Sequence, residues 1–297
     1  MFSSGKSLVL LICHAGITLA ALLAALPLTT HAHGDLHRRI ERATAAISNE
    51  PTNARLYLIR GELHREHRDI GAAIADYERA EKLDTNLTQV DFCRAKLLMD
   101  FGELPAARVK FDDYLSRVPS DGQALIERAR LLSRMSERKA AIADFTRGIA
   151  LQHEPQPDVF LERAQVQVAD GQSEAALRGL DEGIKLLGPL VTLQLRAIDL
   201  EVSRTNYNAA LTRLDSIINQ SARKENWLAR RGDILLQAGK TNDARVSYEL
   251  ALAAAQSLPQ RLQEGEPVIA LSERLTRTLR GLTNSPAGGK TATVPFH

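Results

Sequence analysis

Cysteine is nearly absent from this sequence: Cys13 and Cys93 are the only two in 297 residues. They cannot form a disulfide framework, so packing must hold the fold. Aromatic residues are scarce too, 4% of the chain with one tryptophan. Sandwiches and barrels draw on aromatic and β-branched side chains, so this shortage, beside abundant Ala and Leu, favours helices packed through small contacts. No charge of one sign dominates, because 38 Lys and Arg against 36 Asp and Glu leave a formal +2. Binding driven by bulk charge needs a basic excess or stripe, so nucleic acid is not an expected partner. The sequence also has no P-loop, dinucleotide fingerprint, nucleophile elbow, zinc-ligand helix or paired-cysteine motif. It therefore reads as a non-enzyme for which no cofactor is expected.

Long apolar runs are missing except at the start, where Leu8 to Leu28 follows Lys6, the only Lys or Arg before Arg38. With Thr30, His31 and Ala32 behind it, the run reads as a signal peptide over residues 1–32, cleaved after Ala32. The competing reading is an uncleaved membrane anchor, since about 20 apolar residues span a bilayer. Pro27 and the small residues favour cleavage. Ile12 is too bulky for the lipoprotein signal that Cys13 faintly suggests. The expectation is a periplasmic or exported protein, with no stable membrane insertion once the leader is removed.

What the chain has in abundance is a period. Segments starting at Ala54, Thr88, Gly122, Pro157, Val191 and Glu225 align in phase. One aligned column holds Gly61, Ala95, Ala129, Ala164, Ile198 and Gly232. A second is alanine throughout: Ala73, Ala107, Ala141, Ala176, Ala210 and Ala244. A third, four residues on, is large: Tyr77, Phe111, Phe145, Leu180, Leu214 and Tyr248. Small residues let two antiparallel helices approach, and the large residue fills the groove beside them. Gly102, Gly171 and Gly239 mark breaks between the two helices of a unit.

These columns resemble the tetratricopeptide repeat family, whose unit is a 34-residue helix–turn–helix. The resemblance, of an exported bacterial type, covers Ala54 to about Leu258. It implies an all-α, right-handed α-solenoid of about six helix hairpins over residues 54–258. An N-terminal half-repeat helix is expected over 33–53, a C-terminal capping helix over 259–282 and a disordered tail over 283–297. The sequence departs from the family where a Leu is usual, with Arg60, Arg94, Arg128, Arg163 and Arg231 before the first small column. These arginines could bind anions, but the favoured reading is ion pairing across each hairpin, with Asp76 and Asp144 suitably placed.

The resemblance also places Leu58, Phe92, Ile126, Leu161, Leu195 and Ala229 on the concave face of the array, one per repeat. One turn on come Glu62, Lys96, Arg130, Gln165, Asp199 and Asp233. The expected binding site is thus an apolar seam with a basic middle (Lys96, Arg130, Arg134) and an acidic far end (Asp199, Asp233). The expected function is a non-catalytic scaffold or adaptor of the bacterial envelope that binds a peptide or helix in this groove. The alternative is a periplasmic metal-handling protein, in which cleavage exposes His33 as a new amino terminus near His37. A second, weaker histidine cluster is His64 and His67 beside Glu62 and Glu66. Cys93, beside Phe92, reads as a buried thiol.

Overall fold

The structure, a computed structural model, describes residues 29–284. The expected leader up to residue 28, and the expected tail from residue 285, lie outside the described residues. The described chain has fifteen helices and no strand, as the expected all-α class requires. It divides into two compact units at Ser120/Asp121.

In the first unit, α1 (Thr29–Asn49) lies on α2 (Ala54–Glu66), which pairs with α3 (Ile70–Leu83). A second pair is α4 (Gln89–Asp100) with α5 (Leu104–Arg117). Helix α1 is shifted toward the amino terminus relative to the expected packing helix, because it begins before Ala32, runs through His33 and ends at Asn49. Its Ile47 is buried. In the second unit the pairs are α6 (Gly122–Arg134) with α7 (Arg138–Leu151) and α8 (Pro157–Ala169) with α9 (Ser173–Leu187). Next come α10 (Val191–Ser203) with α11 (Tyr207–Gln220) and α12 (Glu225–Gln237) with α13 (Thr241–Gln256). The stretch after α13 holds two helices rather than one, a short α14 (Gln260–Gln263) and α15 (Glu266–Asn284). Gly265 and Pro267 stand at the break, since Pro offers no N–H to continue a helix from the preceding turn. Val268, Leu271 and Leu275 of α15 are buried, and α15 packs on α13.

Capping marks several helix starts. Asn53, Asp69 and Asp121 accept hydrogen bonds from Arg55, Ala72 and Ala124, meeting N–H groups that the first turn leaves open. The turn inside each pair has one conformation. Its left-handed residue is Arg68, Gly102, Ser136, Gly171, Thr205 or Gly239, with φ between 59 and 81°. The N–H after it donates to the carbonyl five residues back, for instance Glu137 to Leu132 at 2.9 Å and Asn206 to Glu201 at 2.9 Å. This is the Schellman arrangement. Three of the six turns place a side chain where glycine is usual.

The three sequence columns meet in the core. The alanines of the second helices, from Ala73 to Ala244, are all 0% exposed. The other two columns trade volume: Gly61 faces Tyr77 and Gly232 faces Tyr248. A Cβ added at Gly61 would lie 2.6 Å from the Tyr77 ring, and at Gly232 2.4 Å from that of Tyr248. The corresponding positions of the middle pairs combine Ala with Phe or Leu, and Ile198 with Leu214.

Candidate partner-binding face of the first helices

The arginines before the small column are held within the fold. Arg60 makes a two-pronged pair with Asp76 at 2.8 and 2.7 Å, and Arg128 does the same with Asp144 at 2.7 and 2.9 Å. In other pairs the position opposite is Lys110, Gly179 or Ser247, none of them an acid, and the guanidinium finds its carboxylate on another residue. Arg94 reaches Glu81 at 2.8 Å, and Arg231 reaches Asp215 at 2.9 Å and Ser247 at 2.8 Å. Buried Arg163 reaches Glu182 at 2.6 Å and the Gly179 carbonyl at 3.3 Å. Every guanidinium in this row is engaged, so the row does not form an anion-binding ladder.

In the first unit, Leu58 of α2 and Phe92 of α4 are half-buried. Phe92 packs against Phe111 and Tyr114, with ring centroids 6.0 and 5.4 Å apart, and the Lys96 ammonium lies 5.5 Å from its centroid. Glu62 is the hub beside them. It accepts hydrogen bonds from the Tyr77 hydroxyl at 2.6 Å, Lys96 Nζ at 2.6 Å and Arg65 at 3.2 Å. Burial pushes the Glu62 carboxyl upward, but hydrogen bonds from Lys96 and Tyr77, with the charges of Lys96 and Arg65, hold it below its ordinary range. Burial and the Glu62 hydrogen bond hold the Tyr77 hydroxyl well above the usual tyrosine range. Burial does the same to the thiol of Cys93, with the Glu62 charge adding to it. Cys93 is therefore an inert buried thiol.

In the second unit, Leu161 and Leu195 are half-buried. Ile126 departs from the expected seam, being 0% exposed, as is Ala229. Gly148 on α7 has no Cβ, and the Ile126 side chain turns into that gap, lying 2.8 Å from where a Cβ would sit. Ile126 is thus a core residue that a partner does not touch. The glycine opposite it was the available sequence signal.

The expected split into a basic middle and an acidic end also needs correction, because neighbouring elements cancel most of these charges. Lys96 is held by Glu62. Arg130 of α6 is clamped by Glu162 of α8 at 2.7 and 3.0 Å and by Glu127 at 2.9 Å. Asp199 of α10 receives Arg230 of α12 at 2.7 Å. Asp233 accepts from the Tyr248 hydroxyl at 2.9 Å and from Arg274 of α15 at 3.2 Å. Sequence spacing placed these residues on one face. It could not show that residues one repeat apart are near enough to neutralise each other.

A cleft of about 510 Å³ opens in the second unit between the α6–α7 turn and α8. It is lined by Arg130, Ser133 and Arg134 of α6, Ser136 of the turn, Arg138 and Phe145 of α7, and Glu162, Gln165, Val166 and Ala169 of α8. Arg134 is exposed. Two expected groove residues, Arg130 and Arg134, thus lie at a cleft, while Leu161, Leu195, Asp199 and Asp233 do not line it.

The histidine expectation gains no geometry. The His33 side chain lies outside the described residues, and exposed His37 has its Nε2 3.4 Å from Glu41. His64 faces Asp69 and Asp76 at 3.9 and 4.0 Å rather than Glu62. Among the described residues no three His, Cys, Asp or Glu side chains gather as a metal site. No described helix is long and apolar enough to cross a membrane.

Comparison with known proteins agrees with the helix pairs. Residues 159–264 match the family described as tetratricopeptide repeat-like domain, and residues 54–87 match that described as tetratricopeptide repeat. No curated protein matches the chain. Among solved structures, the C-terminal part of a TPR repeat-containing protein from Cytophaga hutchinsonii is 14% identical with a TM-score of 0.59, over 80% of this chain and 94% of that one. The pilF protein of Pseudomonas aeruginosa is 13% identical with a TM-score of 0.50, over 76% and 97%. A tetratricopeptide repeat protein from Parabacteroides merdae is 20% identical with a TM-score of 0.47, over 82% and 93%. With its repeat columns, its paired helices and the family matches over residues 54–87 and 159–264, the chain is a tetratricopeptide repeat protein, a fold that supports a protein–protein interaction scaffold.

Proposed function

We propose that this chain is a non-catalytic adaptor of the bacterial envelope that holds a peptide segment against its first helices. The observation that carries the reading is the cleft between the α6–α7 turn and α8. Its volume of about 510 Å³ falls within the range of ligand-sized clefts, about 300–1,000 Å³. Arginine stems, Val166 and Ala169 give it apolar area, and guanidinium and hydroxyl groups supply polar contacts. Apolar anchors for affinity and charged groups for orientation are what peptide grooves use.

The half-buried Leu161 and Leu195 serve the same face as shape rather than as anchors. A role in the envelope follows from the leader expected over residues 1–32. Cleavage after Ala32 would remove the first turn of α1 and leave residues 33–49 to cover α2.

Selection from a random dodecamer display library tests the binding. Enriched peptides should bind the full chain and lose at least ten-fold in affinity to Ala169→Trp, which fills the cleft from an exposed position. Failure to enrich, or equal binding by Ala169→Trp, refutes the reading. Amino-terminal sequencing of exported protein should begin at His33. A start at Met1 would favour the anchored alternative.

A further inference from the structure

The repeats supply their own reference for what the outer face of a second helix carries. Six residues beyond the aligned alanine of each second helix stand Arg79, Asp113, Arg147, Glu182, Ser216 and Leu250. Five are polar or charged, and the sixth is a leucine left 51% exposed. Leu250 is not alone on α13. Val246, one turn before it, is 48% exposed, and Ala253, one turn after it, is exposed as well. Single exposed apolar side chains are ordinary on a protein surface, but three at spacings of four and three make a stripe along one helix face. The fold does not use that face. Ala244, Tyr248, Ala251 and Ala255 turn the other side of α13 inward, and Leu252 and Gln256 stand at a cleft against α15. Beside the stripe, Arg245 and Glu249 share one flank. Both are exposed, and at 3.9 Å they are too far apart for a hydrogen bond.

We propose that this stripe joins two copies of the chain, α13 against α13, antiparallel about a two-fold axis. The charges select that occupant and that direction. Turning a second α13 end for end sets Arg245 of each copy beside Glu249 of the other, so the ion pair forms twice. A parallel pairing would set like charges together. A two-fold contact uses the same patch on both copies, so one stripe is enough. Ala253 lets the helices approach, and Val246 and Leu250 fill the space between them. One helix face buries less than the roughly 800 Å² per partner of a standard stable interface, so the pairing is weak and reversible. The contact uses none of the residues that line the cleft between the α6–α7 turn and α8, and its test is independent of the peptide reading.

Sedimentation equilibrium of the full chain reads the association directly. Over about 5–500 µM the mean mass should climb from that of one copy toward that of two, and Leu250→Glu should weaken the association by about ten-fold or more. Arg245→Glu and Glu249→Arg should each weaken it alone, because like charges then meet twice. Mixed in equal amounts, these two variants should associate with each other at least as tightly as the parent chain does with itself. That rescue belongs to the antiparallel contact. Every substituted position is exposed, so the dilute variants should keep the parent melting temperature. A parent chain that stays monomeric throughout, association untouched by Leu250→Glu, or a mixture no tighter than its components would each overturn the proposal. Flotation of the monomer with vesicles of phosphatidylethanolamine and phosphatidylglycerol, lost in Leu250→Glu, would overturn it in favour of a lipid surface.

Discussion

At the scale of single residues, the contact between paired helices is a trade of volume. Tyr77 and Tyr248 are 0 and 1% exposed, and each lies against a glycine that lacks room for a methyl group. Adding one at Gly232 forces a buried ring, rather than the loose end of a side chain, to move. Gly232→Ala should therefore destabilise the protein by about 1–3 kcal/mol. Combining it with Tyr248→Leu recreates the Ala164 and Leu180 combination already used by another pair. The double variant should be more stable than the sum of the two single effects by about 0.5–1 kcal/mol. A urea double-mutant cycle reads this directly, and strict additivity would refute the volume trade. The repeat columns made these contacts legible in sequence, because packing of this kind repeats with the period. Ile126 was misread because its burial depends on Gly148, a residue outside the columns that were aligned.

At the scale of elements, the helices follow from pattern and caps, but the turns carry a cost that spacing does not reveal. Gly102, Gly171 and Gly239 adopt positive φ freely, while Arg68, Ser136 and Thr205 do so against their side chains. Thr205, being β-branched, is the most strained of the three. Thr205→Gly should raise stability by about 0.5–1 kcal/mol, less than the full strain because glycine also gains freedom in the unfolded chain. Thermal unfolding measures it, and a lower melting temperature would show that the turn is not strained. Helix α7 makes a matching case. Arg138→Glu should stabilise the fold by about 0.3–1 kcal/mol at low salt, because it replaces a cation with an acid in the first turn of α7. A fall in melting temperature would mean that Arg138 serves the fold after all. The break between α14 and α15 was present in the sequence as Gly265 and Pro267, but the apolar stripe beyond it read as one continuous helix.

Across the whole molecule, balanced charge is explained by pairs between successive repeats. Glu62 with Lys96 in the first unit, and Asp181 with Arg213 in the second, join residues 34 and 32 apart. Exposed pairs of this kind each contribute only about 0–1 kcal/mol, so they specify register more than they supply stability. Glu62 differs because it is partly buried and answers to Tyr77, Lys96 and Arg65 at once. Its carboxyl is held below the ordinary value of 4.5. The unfolded chain therefore takes up a proton before the native state does. Its contribution is fully present above that value and is lost as pH falls through the lower folded one. Tyr77 and Tyr248 act at the other end of the scale. Both are held above the ordinary value of 10.0, chiefly by burial, so their contribution is complete below pH 10.0 and is lost as pH rises beyond it. Glu62→Gln should cost about 1–3 kcal/mol at pH 7 and flatten the loss of stability below 4.5 relative to the parent chain. Tyr248→Phe, which leaves the partners of Glu62 in place, should flatten the loss above 10.0 while leaving the acid limb steep. Urea unfolding across pH separates the two limbs. An acid limb unchanged by Glu62→Gln would mean that this hub carries no pH-dependent stability.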